Sequence, residues 1–234
     1  MAEIIKIDEK TYRIEDGGVR IFLLLGNEKA LLVDTGMNLP NAKEIAESLT
    51  DLPIELINTH ADRDHISGNA AFDTFRMHPR EVANYIAAGG EMKPIYHIRG
   101  GDVLNLGGRE LKIFDLPGHT PGSIAILDVA SRVLYGGDSI QDGNIFMFGR
   151  YRNLEEYIDS MEKLWENRDQ FDVVYPAHST PCVSKDIIPS LIEGAKKVLA
   201  GEVPCTKVDM HGNEVDRYDI GCAAFLYVPK PKRN

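Results

Sequence analysis

The sequence predicts a mixed α/β domain, and three observations support this prediction. The chain has 234 residues, of which 43% are hydrophobic and 26% charged, so it can bury about 70% of the surface of its unfolded form. Short runs rich in Ile, Leu and Val alternate with segments whose apolar residues recur at helical spacing. The chain has no internal repeat and no low-complexity stretch. We therefore expect one domain over residues 1–234, with two sheets and helices outside them.

Strands open the chain, and a helix follows them. The predicted strands, which turn sequences rich in Gly, Asp and Asn separate, are Ile4–Ile7, Thr11–Ile14, Val19–Leu25 and Ala30–Val33. Residues Asn41–Leu49 have apolar side chains at helical spacing, and the run Ile54–Ile57 predicts the next strand. A further helix is expected to begin near Ser67.

The second half repeats this alternation. The predicted strands are Glu110–Leu116, Ser123–Asp128, Arg132–Tyr135, Asp172–Tyr175 and, last, Gly221–Val228. Helices are predicted for Leu154–Asn167 and Ser184–Ala200, although Pro189 lies in the first turns of the second helix. Residues Pro229–Asn234 are expected to fray.

Charge and cysteine usage exclude several function classes. The 26 basic and 36 acidic residues give a formal net charge of −10, which disfavours nucleic acid and anionic lipid as partners. The longest apolar run, Val19–Leu25, contains Arg20, so we expect neither an export signal nor a membrane span. Three cysteines are an odd number without the spacing of a disulfide framework, which favours the cytoplasm. We expect a small-molecule substrate, and the oligomeric state stays open.

Four histidines stand where a predicted strand gives way to a loop: His60, His65, His119 and His178. The segment 59–65 also contains Asp62 and Asp64, and imidazole with carboxylate suits Zn, Fe or Mn. An extended backbone would direct positions 60, 62 and 64 to one side and His65 away from Asp64. Alternatively, Asp62 or Asp64 caps the helix expected near Ser67, and the segment is a solvated turn.

Three further segments favour the metal site. They are Leu116-Pro117-Gly118-His119-Thr120-Pro121-Gly122, Tyr135-Gly136-Gly137-Asp138 and Val174-Tyr175-Pro176-Ala177-His178. Together with Thr59–His65 and with Val33-Asp34-Thr35-Gly36, this ordered set resembles the metallo-β-lactamase fold superfamily over about residues 20 to 180. The resemblance implies a four-layer αβ/βα sandwich with a metal site in the cleft between the edges of the two sheets.

The resemblance also implies the ligands of two divalent ions, with zinc as the first expectation and iron or manganese as alternatives. By position, His60, Asp62 and His119 would hold one ion. Asp64, His65 and His178 would hold the other, and Asp138 would bridge the pair. Asp64 could also accept a proton in catalysis if the second ion is absent.

Asp62 departs from the superfamily pattern, which usually has His at this position. A carboxylate there removes one positive charge from the site, so a bound water would lose its proton less readily. A hard oxygen ligand also moves the preference toward iron or manganese. The short side chain could instead fail to reach, and then only one ion would bind tightly.

Other residues receive weaker assignments. Asp34 either orients the His60 loop or caps a turn. His78, His97 and His211 are expected at the surface, and Cys182 is expected to be a small buried residue. In the segment Ile145–Arg152, the expected apolar wall of the cleft is Phe146, Met147 and Phe148, and the expected carboxylate clamp is Arg150 or Arg152. The alternative there is a core strand followed by a basic helix start.

The predicted function is a metal-dependent hydrolase in which a metal-bound hydroxide attacks a small ester, thioester or lactone. The chain looks short for the added helical region of glyoxalase II proteins, so a glutathione thioester is less favoured. A non-haem iron redox enzyme is an alternative, because His60, His119 and Asp138 would make its two-histidine, one-carboxylate face. A metal-binding protein without catalysis is the third hypothesis.

Overall fold

Two facing sheets with helices on their outer surfaces form the body of the protein in a computed structural model, which describes residues 2–210 and 212–229. The predicted αβ/βα sandwich is confirmed. Elements are numbered below in chain order. The helices are α1 (Ala42–Glu47), α2 (Val82–Ala87), α3 (Leu154–Glu166) and α4 (Ile187–Ala200).

The first sheet begins as an antiparallel meander and continues with parallel strands. Its strands, in spatial order, are β1 (Glu3–Asp8), β2 (Thr11–Asp16), β3 (Val19–Leu25), β4 (Ala30–Val33), β5 (Ile54–Ile57), β6 (Phe75–Met77) and β7 (Ile95–His97). From β4 onward the neighbours are parallel. All residues of β3 except the last are buried. Such a strand has a nearly continuous apolar run, which makes β3 recognisable in the sequence.

The second sheet supplies the other half of the sandwich. Its strands, in spatial order, are β14 (Val183–Ser184), β13 (Val173–Pro176), β11 (Val133–Gly137), β10 (Ile124–Asp128), β9 (Glu110–Asp115) and β8 (Val103–Asn105). Strand β10 is antiparallel to both β9 and β11, and β11 is parallel to β13. The carboxyl ends of β9, β11 and β13 therefore lie at the same edge.

A third sheet corrects the prediction of two sheets. Its strands, in spatial order, are β12 (Asn144–Met147), β17 (Ala224–Tyr227), β16 (Asn213–Asp219) and β15 (Cys205–Met210). Strands β15 and β16 form a hairpin whose residues are mostly exposed, so it lacks the apolar run that predicts a buried strand. The expected strand Gly221–Val228 is found as β17.

The helices follow the local sequence signals. At the start of α3, the Asn153 side chain accepts hydrogen bonds from two backbone amides. Helix α4 ends at Gly201 in the left-handed conformation, with Pro189 in its first turn. The prediction of a helix that begins near Ser67 is wrong, because Ser67 lies between two 3-10 turns, Arg63–His65 and Asn69–Ala71.

Three hydrophobic clusters fill the layers. The cluster between the two large sheets contains Phe22 and Leu31 of the first sheet and Ile126 of the second. A second cluster packs α1 and α2 against the first sheet, and a third packs α3 and α4 between the second and third sheets. Within the described ranges, no helix has both the length and the apolar character to cross a membrane.

Arg109 joins the two large sheets from a buried position. Its guanidinium contacts the Asp128 carboxylate of β10, with Nη2 and Oδ2 2.7 Å apart. It also donates to the carbonyls of Lys10 and Leu25 and to the Thr11 hydroxyl in the first sheet. The buried charge is therefore paired and its donors are used on both sides of the sandwich.

We expect the substitution Asp128→Asn to lower the free energy of unfolding by about 3–5 kcal/mol, because it leaves the buried Arg109 charge unpaired. Urea denaturation of the metal-free protein measures this change. The control is Asp172→Asn, which removes an exposed pair with Arg132 and should have a far smaller effect. Equal changes in the two variants would contradict the assigned role of Arg109.

Candidate metal centre

The seven predicted ligands lie in four loops, and each loop follows the carboxyl end of a strand. His60, Asp62, Asp64 and His65 follow β5, His119 follows β9, Asp138 follows β11, and His178 follows β13. The strand order brings these ends to one cleft between the two large sheets. The cleft contains a cavity of about 590 Å³, called the site cavity here, whose lining includes Asp62, Asp64, His119, Asp138 and His178.

Two groups of potential ligand atoms share Asp138. Within each group the atoms lie within 4.8 Å of one another. The first group is His60, His119 and Asp138, and the second is Asp64, His65, Asp138 and His178. Asp138 Oδ2 lies 3.8 Å from His60 Nε2 and 3.3 Å from His178 Nε2, so this carboxylate stands between the two groups.

Each imidazole is held through Nδ1, which turns Nε2 toward the cluster. His119 Nδ1 donates to the Phe146 carbonyl at 2.9 Å, and His178 Nδ1 donates to the Gly18 carbonyl at 2.7 Å. His65 Nδ1 donates to Asp34 Oδ2 at 2.9 Å. A ring that donates from Nδ1 can leave Nε2 free to bind a metal.

The tautomer of His60 follows from a chain of hydrogen bonds. The Thr59 hydroxyl donates to Asp34 Oδ2 at 2.7 Å, so its oxygen is left to accept from His60 Nδ1 at 3.0 Å. Asp34 therefore holds His65 directly and His60 through Thr59. Of its two expected roles, these contacts favour the orienting one. Its backbone adopts a left-handed φ of 64°, which is strained for a residue other than glycine.

The cluster contains buried polar atoms without hydrogen-bond partners. They are Nε2 of His60, His65 and His119 and Oδ1 of Asp138. Such groups are costly inside a protein unless something binds them. Since imidazole nitrogen and carboxylate oxygen are common ligands of Zn, Fe and Mn, the residues present fit a metal site.

The pKa values reflect the close packing of opposite charges. Burial and the neighbouring His65 lower the pKa of His60 to about 4. Burial opposes protonation of His178, but Asp138 and Asp64 raise its pKa to about 10. Burial likewise opposes ionisation of Asp138, and the facing histidines nevertheless hold its pKa well below the usual range. A bound cation would compensate the same carboxylates and release the imidazole protons.

The family model described as the metallo-beta-lactamase superfamily matches residues 14–178, a range that contains all seven predicted ligands. The chain belongs to this superfamily. The resemblance expected from the loop motifs is therefore confirmed.

Curated relatives and solved structures agree with this membership. The acyl-coenzyme A thioesterase MBLAC2 of Homo sapiens is 27% identical, over 74% of this chain and 76% of that protein. The hydroxyacylglutathione hydrolase of Hyphomonas neptunium (strain ATCC 15444) is 28% identical, over 61% of this chain and 52% of that protein. A metallo-beta-lactamase from Pontibacter korlensis has a TM-score of 0.72 at 17% identity, over 84% of this chain and 99% of that chain, which shows the common fold.

Asp62, which differs from the usual superfamily residue, has two protein partners besides the histidines. Its Oδ2 lies 3.3 Å from His119 Nε2 and 3.7 Å from His60 Nε2. Arg152 forms an ion pair with the same oxygen, and Asn84 donates to Oδ1 at 3.3 Å. Burial favours the neutral acid, but the contact with His119 and the charges of His60 and Arg152 lower the pKa of Asp62. The Asp62 carboxylate thus lies within 3.7 Å of two histidines of the first group, and its role as a ligand stays a prediction. The capping alternative fails for Asp62, because its side chain makes no cap hydrogen bond.

Asp64 lies elsewhere than the extended-backbone argument predicted. The 3-10 turn Arg63–His65 rotates this side chain toward the second group, where Oδ2 is 3.6 Å from His65 Nε2 and 3.2 Å from His178 Nε2. Asp64 and His65 therefore converge rather than diverge. Asp62 and Asp64 end on opposite sides of Asp138.

The segment after Asp138 divides between core and cleft. Met147 is buried in the core, so its expected place in the apolar wall is wrong, whereas Phe146 lines the site cavity. This division follows from the alternation of side chains along β12. Arg152 pairs with Asp62. Its guanidinium is therefore not free to bind a substrate carboxylate, which is one of the two roles expected for it.

Several assignments outside the cluster also change. His78 is buried, contrary to prediction, and accepts a hydrogen bond from the Arg80 amide. His97 is exposed as predicted. Cys182 is exposed and is not a buried residue. His211 and residues 230–234 lie outside the described residues, so the expectations for them stay predictions.

Glu81 is a positioning residue that sequence reasoning missed. Its carboxylate is fully buried and accepts from the Ala61 amide at 2.9 Å and from the Gly122 amide at 2.7 Å. Glu81 therefore ties the loop that carries His60 and Asp62 to the loop that carries His119. In the sequence, an acid two residues after Pro79 resembles an ordinary helix N-terminal residue, so no local signal distinguishes it.

We expect Glu81→Gln to weaken metal binding about ten- to a hundredfold, because the amide presents a donor to one of the two backbone donors and loosens a ligand loop. Competition with a chelator measures the affinity, and far-UV circular dichroism should be unchanged. The matched control is Glu156→Gln, which removes an exposed pair with Arg80. A loss of stability without a change in metal affinity would show that Glu81 serves the fold alone.

Asp62 and Arg152 should behave as a coupled pair. Asp62→His leaves the Arg152 guanidinium, which is 12% exposed, without its carboxylate and beside the candidate metal site. We therefore expect Asp62→His to lose more stability and metal affinity than the double variant Asp62→His/Arg152→Gln, with a coupling energy of about 0.5–3 kcal/mol. Urea denaturation and metal analysis of the two single variants and the double variant complete the cycle. Strictly additive effects would separate Arg152 from Asp62.

Proposed function

We propose that this protein is a thioester hydrolase that uses two divalent ions, with zinc as the expected metal. The coarser prediction, a metal-dependent hydrolase of the metallo-β-lactamase type, is confirmed by family membership and by named hydrolases among its relatives. The observation that carries the proposal is the pair of ligand groups that share Asp138, with unpaired Nε2 atoms aimed into the cleft.

We assign one ion to His60, Asp62, His119 and Asp138, and the other to Asp64, His65, His178 and Asp138. Bound divalent ions would supply Lewis acidity, which activates water and stabilises negative charge on a carbonyl oxygen. The protein itself fixes the ligands, since the Nδ1 partners hold each ring in one orientation. Asp64 lines the site cavity, and we assign it the role of proton acceptor when the second ion is absent.

Two apolar side chains in the lining of the site cavity support a substrate with an apolar acyl group. Met37 and Phe146 line the same cavity as His119 and Asp138, so an acyl chain can pack against them while its carbonyl carbon faces the cluster. Two relatives are named as an acyl-coenzyme A thioesterase and a hydroxyacylglutathione hydrolase. Both names describe cleavage of a thioester, which favours this bond over a lactone or an oxygen ester.

We expect the zinc-loaded protein to hydrolyse acyl-coenzyme A thioesters and His119→Ala to lose more than about a hundredfold in kcat/KM, since a ligand is removed. His97→Ala is the control, because its imidazole is exposed away from the cavity and the change should be neutral. The ultraviolet absorbance of the thioester is the suitable assay, because exposed Cys182 and Cys205 would react with a thiol reagent. No turnover of any thioester by the metal-loaded protein would refute the proposal.

Metal analysis separates this proposal from the redox alternative. Two zinc ions per chain in protein expressed without added metal is the expected result. Iron bound at His60, His119 and Asp138, together with oxygen consumption in place of thioester hydrolysis, would favour the non-haem iron enzyme.

A further inference from the structure

A second cavity of about 650 Å³ adjoins the site cavity, and three arginines line it: Arg63, Arg150 and Arg152. We call it the arginine cavity. The two cavities share Asp62, Arg63, Asp64 and Phe146 in their linings. A molecule that extends from the metal cluster past these shared residues therefore reaches the arginines.

Two of the three guanidinium groups are free to bind a ligand. Arg152 is used by Asp62. Arg63 and Arg150 are exposed, and neither pairs with a carboxylate anywhere in residues 2–210 or 212–229. Other arginines of this acidic chain, such as Arg132 and Arg217, do have carboxylate partners.

Charge inside the arginine cavity is positive on balance. The only acidic side chains in its described lining are Asp62 and Asp64, and both contact histidines of the metal cluster. Three guanidinium groups outnumber these two carboxylates, and bound ions would reduce the negative charge further. A chain with a net charge of −10 thus places unbalanced positive charge next to its reaction site, which attracts an anionic substrate.

The loop that carries Arg150 gives this guanidinium a defined position. It lies over the ring of Tyr151, with 4.6 Å between the guanidinium carbon and the ring centroid. Tyr151 has a left-handed φ of 72°, a conformation that a residue other than glycine rarely adopts. This cation–π contact restrains the guanidinium, and its N–H groups remain available as donors.

We propose that the arginine cavity binds the phosphates of the substrate's carrier group, through Arg63 and Arg150, while the acyl group occupies the site cavity. This inference rests on the proposed thioester hydrolysis and names the substrate class as thioesters of a phosphorylated carrier. Guanidinium groups bind phosphate oxygens with paired N–H donors. A glutathione carrier is attracted less strongly, because its ammonium group offsets one of its two carboxylates.

The test compares two thioesters with the same acyl group, one carried by coenzyme A and one by pantetheine, which lacks the phosphates. For Arg63→Gln/Arg150→Gln, we expect the KM for the coenzyme A ester to rise at least about tenfold, which is about 1.4 kcal/mol. The KM for the pantetheine ester should rise far less, so that the ratio of the two KM values reports the loss of phosphate binding. The matched control is Arg99→Gln, because Arg99 is exposed and lines neither cavity.

Other outcomes overturn the inference. Unchanged KM values, or equal increases for both esters, would show that the arginines do not bind phosphate. A selective increase for a glutathione thioester would assign them to a carboxylate carrier instead. If the protein hydrolyses no thioester, the proposed function fails, and calorimetric binding of free coenzyme A decides separately. Binding that the double variant weakens about tenfold supports the cavity assignment, and no binding refutes it.

Discussion

The carboxylate of Asp34 is the constraint on which half of the candidate metal cluster depends. It accepts from the Thr59 amide and hydroxyl at 2.7 Å each and from His65 Nδ1 at 2.9 Å. These three donors fix the backbone before His60, the tautomer of His60 and the ring of His65. The left-handed backbone of Asp34 turns the carboxylate toward β5, and the Asp34 amide donates to the Ile57 carbonyl. The strain is therefore retained where a buried network compensates for it.

The other half of the cluster is fixed by parts of the fold that are distant in sequence. The Phe146 carbonyl, which orients His119, belongs to β12, and β12 pairs with the C-terminal strand β17. The Gly18 carbonyl, which orients His178, lies in the turn between β2 and β3. The first and the third sheet thus each contribute one backbone acceptor to the site. Stability of the third sheet and geometry of the metal cluster are coupled through one backbone carbonyl.

Sequence reasoning succeeds where information is local. Apolar runs predict the buried strands. The recurrence of His and Asp after strand ends predicts that the candidate ligands lie together. It fails where a partner is remote. The buried role of Glu81 depends on amides 20 and 41 residues away along the chain. The side of Asp138 on which Asp64 lies depends on one 3-10 turn, which alternation does not predict. The β15–β16 hairpin escapes notice because its mostly exposed strands lack an apolar pattern.

The pairing of Arg152 with Asp62 changes what the unusual aspartate does to the site. Two divalent ions would bring four positive charges, from which Asp62, Asp64 and Asp138 remove three, whereas the usual histidine at position 62 would leave one more positive charge. Arg152 restores that charge within contact of the same carboxylate oxygen. It also draws electron density from Asp62 by hydrogen bonding, which makes the carboxylate a weaker donor to an ion. Counting the ligands alone therefore predicts too low an acidity for a water bound at the site. The guanidinium compensates part of the positive charge that Asp62 removes.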